Sequence, residues 1–413
     1  MPPGALPGVA LAGRSVDVVR AVTALRVLHV VAQMNRGGVE TWLMQVLRNL
    51  DPASVRMDFL VTLAEPGDYD AEIRARGSGM IPCELRGGAA RFAWRFLAVL
   101  RERGPFHVVH SHEHHFSGFI LALARRAGVP IRIAHGHTDT RDLDATAGPR
   151  RRLYLALMRA ALRRFATHGF AVSAPAAAAL FGPRWEDDAR WEVARCGIDF
   201  GAFRGPADRA EVRRDLGVPA SALVLGHVGR FDPLKNHALL LRIAAETLRR
   251  DSRTVLVLVG DGPLRAAVES DATRLGLRER VVFAGSRPDV PRLLPGFDVF
   301  VFPSIREGLP LVVLEAQAAG LPIVLSDGIT REVVVIPELF AARSPADAPE
   351  AWAETVLSSV TRRVPVEDAV AAMERSEFSL SRTLAPLLEV YGSPEPGVRG
   401  ASPAGYARSG SAG

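Results

Sequence analysis

Lysine is almost absent from this chain. Of 51 basic residues in 413, one is lysine, Lys235, and fifty are arginine. A bias that replaces lysine wherever any cation will serve would spare it where a compact ammonium is needed instead of a guanidinium fork. Position 235 is therefore the first place to look. Cysteine is scarce too: Cys83 and Cys196 form neither a disulfide framework nor a metal-ligand spacing, which suits a reducing compartment. No window holds about 18 uninterrupted apolar residues. The best run, 311–325, is broken by Glu315, Gln317 and Pro322, which excludes a spanning helix. The first thirteen residues carry no base and too short an apolar stretch to act as a signal peptide.

What is present points to a globular α/β protein. With 48% hydrophobic and 23% charged residues, the composition is that of a packed, water-facing chain, and the length suggests two domains. Charge is uneven. Residues 1–200 hold 26 arginines against 19 acidic residues (+7), and residues 201–413 hold 25 basic against 26 acidic (−1), so the formal +6 belongs to the first half. That half is matched to something anionic: a membrane surface, a nucleic acid or a phosphorylated substrate.

Apolar runs at 26–33, 57–63, 107–112, 131–135 and 168–172 read as strands, alternating with helical stretches at 94–103, 116–127 and 150–165. A Gly/Pro-marked connection, FGAFRGP at 200–206, interrupts the rhythm. It restarts with strands at 223–228, 255–260, 281–284, 299–302 and 323–325. Such alternation predicts two parallel sheets covered by helices, two Rossmann-like domains facing across a cleft.

Ligands of open α/β sheets sit beyond the carboxyl ends of strands, and several such loops carry unusual chemistry. Gly37 and Gly38 follow the first strand, either as a tight turn or as a close approach to a phosphate or sugar. In GHVGRFDPLKNH, Arg230 closes a strand and Lys235 starts a helix. Both can meet one diphosphate, or remain solvated cations; no Walker motif is present. Gly260 and Gly262 of LVGDGPLR are a weak dinucleotide signal, because Arg265 takes the third glycine position. Glu307 precedes Gly308, Leu309, Pro310 and Leu311, which open a helix carrying Glu315. Eight positions apart, or about 12 Å along a helix, the two carboxylates suit two parts of one long ligand better than an acid/base pair. Glu315 could equally be a solvated helix residue. Six histidines fall between 110 and 137, without cysteine or His-Glu-x-x-His, so core or substrate-contacting roles are favoured over metal. The helix PRRRLYLALMRAALRRFA, with Arg152, Arg159 and Arg163 on one face and Tyr154, Met158, Ala161 and Phe165 on another, reads as either an ordinary surface helix or one lying on an anionic membrane.

The ordered set MNRGGVE, VVHSHEHHFSG, IRIAHGHT, VARCGID, GHVGRFDPLKNH, LVGDGPL, EGLPLVVLEAQ and SDGITREV, spanning about residues 26–335, resembles the retaining glycosyltransferases of family 4, most closely an exopolysaccharide-biosynthesis branch. Gly136 stands where that family usually has Ser or Asn. The resemblance implies the two-domain GT-B architecture. Its expected divisions are a weakly ordered extension at 1–25, an acceptor-binding domain at 26–203, a nucleotide-sugar domain at 204–375, a helix at 376–392 packing back toward the first domain, and a disordered tail at 393–413. It also implies the site roles. Arg230 and Lys235 would hold the donor diphosphate, while Glu307, with the backbone from Gly308 to Leu311, meets the donor sugar. Glu315 would meet the ribose, and Gly37 and Gly38 border the phosphate and acceptor. His112 lies near the reacting sugar, and Ser286 and Arg287 near the base.

On this resemblance the enzyme moves a sugar from a UDP-sugar to a glycan or lipid-linked acceptor, retaining anomeric configuration. It would work in the cytoplasm at the inner membrane face, with no cofactor and no metal. A nucleotide-sugar epimerase of similar fold and a non-catalytic sugar-binding subunit are the competing readings. Nucleic acid is disfavoured, since the basic residues are dispersed and no basic run is interleaved with aromatics.

Overall fold

The computed structural model describes residues 24–205 and 208–393. The expected N-terminal extension, up to residue 23, and the expected tail from 394 onward lie outside these residues. Within them, two parallel sheets form. The first contains β1 (Leu25–Val31), β2 (Val55–Val61), β3 (Met80–Pro82), β4 (Val108–Ser111), β5 (Ile131–Gly136), β6 (His168–Ala171) and β7 (Trp191–Val193), in the order β3-β2-β1-β4-β5-β6-β7. The second contains β8 (Leu223–Val228), β9 (Thr254–Val259), β10 (Val281–Gly285), β11 (Val299–Phe302), β12 (Ile323–Ser326) and β13 (Phe340–Arg343), in the order β10-β9-β8-β11-β12-β13.

Central strands read as unbroken apolar runs because both of their faces are covered: β9, TVLVLV, is buried along its whole length. Helices bury one stripe each. The helix Ala89–Arg103 turns Phe92, Phe96 and Leu100 inward at four-residue spacing. A contiguous core runs from the first sheet through Ile198, Phe200 and Phe203 into the second. The outer face of the second sheet packs a separate cluster around Leu240, Ile243 and Trp352.

The chain then crosses back. Ile198 pairs with Ser379, and the helix Leu380–Gly392 packs against β1 and the helix Gly38–Asn49. Tyr391, near its end, is completely buried with its hydroxyl 2.9 Å from His110 Nδ1 in the first domain.

The structure corrects several local readings. β8 ends at Val228, so Arg230 lies two residues beyond the strand. Lys235 ends a single 3-10 turn, Pro233–Lys235, and the helix starts at His237. Asp232 caps the start of that turn by accepting from the amides of Leu234 and Lys235, and Asn236, left-handed at φ 55°, separates it from the helix. The helix carrying Glu315 starts only at Leu311, so half of the Glu307–Glu315 separation is loop. On the helix Pro149–Phe165 the buried positions are Leu155 and Leu162. Arg159 is drawn toward Asp144 and the Ala179 carbonyl instead of facing water.

Candidate functional site

Loops at the carboxyl ends of both sheets meet in one cleft of about 180 Å³. Gly38 follows β1, His137 and Thr138 follow β5, Leu234 follows β8, and Glu307, Gly308, Leu309 and Leu311 follow β11. Several contacts close it from opposite sides. Arg306 Nη2 donates to Asp142 Oδ2 at 2.6 Å, and Arg36 Nη1 lies 3.4 Å from Ser286 Oγ. Arg195, after β7, is ion-paired to both Glu332 and Glu377. Gly308 sits directly against the His137 carbonyl, where a Cβ would overlap it. Only glycine permits that approach.

Lys235 and Glu307 form the centre of the second-domain wall. Nζ donates to Oε1 at 2.5 Å, and the ammonium also stands 5.1 Å from the centre of the Phe302 ring. The two side chains are 17% and 16% exposed, so the ion pair is largely withdrawn from water and held at the cleft. Arg230 is exposed, close enough to Glu40 for its charge to act on that carboxyl.

Three carboxyls around the cleft are partly buried and resist ionisation. Burial pushes Glu315 up to about 7. Glu40, on the helix behind Gly37, is also raised to about 7 by burial, against the pull of a backbone hydrogen bond and of Arg230. Glu113 is raised to about 7, again by burial first and by Glu40 second. Glu315 is thus not the solvated helix residue of the alternative reading.

On the first-domain wall the histidines form a connected stack. His112 Nε2 is 3.1 Å from His29 Nδ1, and His112 Nδ1 is 2.9 Å from His137 Nε2. His110 Nε2 is 3.2 Å from His135 Nδ1. Burial holds all five below the ordinary imidazole range, His29 and His137 at about 3. The remaining members of HSHEHH do other work: His115 Nε2 pairs with Asp144 Oδ2 at 3.0 Å, and His114 Nε2 reaches the Thr138 carbonyl.

Two models of protein families match this chain: "Glycosyl transferase 4-like domain" over residues 37–197 and "Glycosyl transferases group 1" over residues 222–362. A Bacillus subtilis (strain 168) protein named as a glycosyltransferase, EpsF, is 36% identical over 370 residues, 89% of this chain and 96% of its own. The chain belongs to glycosyltransferase family 4. A D-inositol 3-phosphate glycosyltransferase of Salinispora tropica is 29% identical over 88% of this chain and 83% of its own. Among solved structures, Anabaena Alr3699/HepE in complex with UDP-glucose superposes with a TM-score of 0.72 at 21% identity, over 89% of this chain and 99% of that one, so the fold is GT-B.

In this glycosyltransferase the two family halves contribute opposite walls of the cleft. Gly38, Lys235, Glu307, Gly308, Leu309, Leu311 and Glu315 gather at it or beside it, with Gly37 capping the helix that Gly38 begins. Pro310 caps the Glu315 helix. His112 reaches the cleft through its contact with His137. Arg287 is engaged elsewhere: Asp289 and Asp215 hold it from two sides and raise its affinity for its proton. Sequence reasoning missed His29, Glu40, Glu113 and Tyr391. Glu40 and Glu113 stood inside quoted motifs. His29 sits mid-strand in RVLHVVAQ, where a histidine reads as core, and nothing local links Tyr391 to His110. At Gly136 an added Cβ would lie 3.2 Å from Leu180 Cδ2, so the glycine lets the helix Ala174–Phe181 pack closely on β5.

Proposed function

We propose that this glycosyltransferase moves a hexosyl or N-acetylhexosaminyl group from a UDP-sugar to a saccharide or lipid-linked acceptor, retaining anomeric configuration, in exopolysaccharide or cell-envelope glycan synthesis. The observation that carries the reading is the withdrawn Lys235–Glu307 pair in a cleft between two family 4 halves. The donor class is supported by the UDP-glucose held by the structural relative, and the process by the likeness to EpsF.

Cleavage of the sugar–phosphate bond builds negative charge on the diphosphate and positive charge on the anomeric carbon. Lys235 has three donors: one serves Glu307, and others remain for a phosphate oxygen. With exposed Arg230 nearby, it offers preorganised positive charge to the leaving group without a metal. Glu307 receives sugar hydroxyls, Glu315 the ribose, and His112, held neutral by burial, faces the transferred sugar. Attack from the face the diphosphate leaves accounts for retention without a nucleophilic carboxylate. Ser286 lies across the cleft mouth from Arg36, which suits it to the base end.

Placement at the cytoplasmic face of an anionic membrane is supported by the outer side of the helix Pro149–Phe165. Leu153 and Leu157 are 63% and 56% exposed there, among exposed Arg150, Arg151, Arg152 and Arg164. A screen of UDP- and GDP-sugars for binding and slow hydrolysis, then an acceptor assay with membrane extract, tests the function. Donor consumption without transfer to any acceptor would favour an epimerase. Flotation with vesicles containing anionic lipid tests the surface. Leu153→Glu with Leu157→Glu is expected to abolish flotation, and equal flotation by the double variant would remove the membrane role.

A further inference from the structure

The histidine stack contains more chemistry than sugar transfer requires. His112 follows β4, His135 lies in β5 and His137 follows it, and ring nitrogens of the three fall within 4.8 Å of one another. His135 is 1% exposed, and its Nε2 has no hydrogen-bond partner. A buried orphan N–H is far costlier than an orphan lone pair when the ring's other nitrogen has an acceptor beside it. The proton therefore belongs on Nδ1, donated to His110 Nε2 at 3.2 Å, and His110 donates in turn from Nδ1 to the Tyr391 oxygen at 2.9 Å. That chain fixes the His135 tautomer and leaves its Nε2 lone pair unused. Outer partners hold metal-binding histidines in the same way. His112 Nε2 faces His29 Nδ1 at 3.1 Å. Because His29 Nε2 is also without a partner, His29 donates there and the His112 proton lies on Nδ1, toward His137 Nε2 at 2.9 Å.

We propose that His112, His135 and His137 form a binding site for a divalent metal of the imidazole-preferring class, represented by Zn²⁺, with a fourth position open to the cleft that His137 lines. Three neutral nitrogens and no carboxylate suit Zn²⁺, Cu²⁺ or Ni²⁺ and not Mg²⁺ or Ca²⁺. Tetrahedral Zn–N bonds of about 2.0–2.1 Å place nitrogens about 3.3–3.4 Å apart, so the 2.9 Å between His112 Nδ1 and His137 Nε2 must open by a few tenths of an ångström. No net proton leaves on binding, but the His112 hydrogen, which in the metal-free chain lies on Nδ1 toward His137 Nε2, must move to Nε2 toward His29, and the His29 hydrogen to its own Nε2. His137 carries its own on Nδ1. The bound metal takes up the nitrogens of His112 and His137, so it blocks sugar transfer. That consequence rests on the proposed transferase role, whereas the binding does not.

Calorimetric titration of the full-length, tag-free chain with ZnCl₂ tests the site. The expected result is one equivalent bound at micromolar or tighter affinity, with a Co²⁺ visible spectrum of tetrahedral type. His135→Asn and His137→Asn should each weaken binding at least tenfold, and His237→Asn, outside the cluster, should not. His137 lies at the cleft edge, so its variant remains informative if the buried His135 variant fails to fold. Absence of saturable binding by the wild type, or binding that survives the His137 change, would overturn the site. With the site confirmed, one equivalent of Zn²⁺ should reduce transfer at least tenfold, reversed by EDTA. Unimpeded transfer by the zinc-loaded enzyme would sever the site from the donor sugar. Zinc binding by a chain that transfers no sugar from any donor would remove the transferase role and leave the metal site standing.

Discussion

At the scale of single residues, the surviving lysine has a physical rationale in its surroundings. Lys235 fits between the Glu307 carboxylate and the Phe302 ring, a space suited to a compact ammonium with donors to spare. Lys235→Ala and Glu307→Ala are each expected to lower turnover by about 10²–10³, the cost of losing one preorganised charge partner. Near-normal transfer by either purified variant would sink the assignment. Lys235→Arg should recover little activity, because a planar fork is longer and cannot serve both partners from the same point; full activity would leave coding bias without a functional counterpart. Glu315 offers a test of opposite sign in two assays. Its carboxyl is raised to about 7, so above that pH the folded protein must ionise it against the preference of its site. Glu315→Gln should raise the melting temperature at pH 8 but not at pH 4.5, while weakening UDP-sugar binding. Equal melting shifts at both pH values would show that burial does not control this carboxyl.

Elements set how these residues meet. The loop ahead of the helix Leu311–Ala318 brings Gly308 against the His137 carbonyl, tying the wall that carries Lys235 and Glu307 to the histidine wall. Gly308→Ala forces the two apart, and a loss of at least tenfold in transfer with unchanged melting temperature is expected, read from kinetics beside thermal unfolding. The C-terminal helix Leu380–Gly392 acts from behind: it packs on β1, and Tyr391 closes the chain of contacts through His110 to His135. Tyr391→Phe removes one buried hydrogen bond at about 1 kcal/mol, and Tyr391→Ala adds a cavity, for a total of about 3–5 kcal/mol. Denaturant titration distinguishes these. No loss in Tyr391→Phe would mean that the hydroxyl carries nothing, and equal losses would mean that the ring's packing carries nothing. Ten strands were legible as apolar runs. The three that were not, β3, β7 and β13, are sheet edges with at most one buried position each, so they lack the apolar run that marks the covered strands.

For the whole molecule, the dominant electrostatic feature is buried neutral histidine. Ten of the eleven histidines are held below 6.5, burial being the first cause in each. A lowered imidazole favours the folded state above 6.5, and that stability is lost as pH falls, because the unfolded chain takes up protons the native state refuses. Glu40, Glu113 and Glu315 act oppositely between 4.5 and about 7, but they are three against ten. Stability should therefore fall from pH 6.5 toward pH 4, as measured by urea midpoints, and a flat profile would contradict the burial of the stack. Sequence alone determined the two α/β halves, because parallel strands covered on both faces must be apolar throughout. It also marked Lys235, Glu307 and the glycine loops, because such chemistry is local to strand ends. Tertiary structure decided the rest. The pairing of Lys235 with Glu307, the joining of His29, His110, His112, His135 and His137, and the return of Tyr391 to His110 bring together residues from different strands and domains. The lone lysine was visible from composition, but its partner came only with the fold, which sets β8 beside β11 and so brings their two loops together.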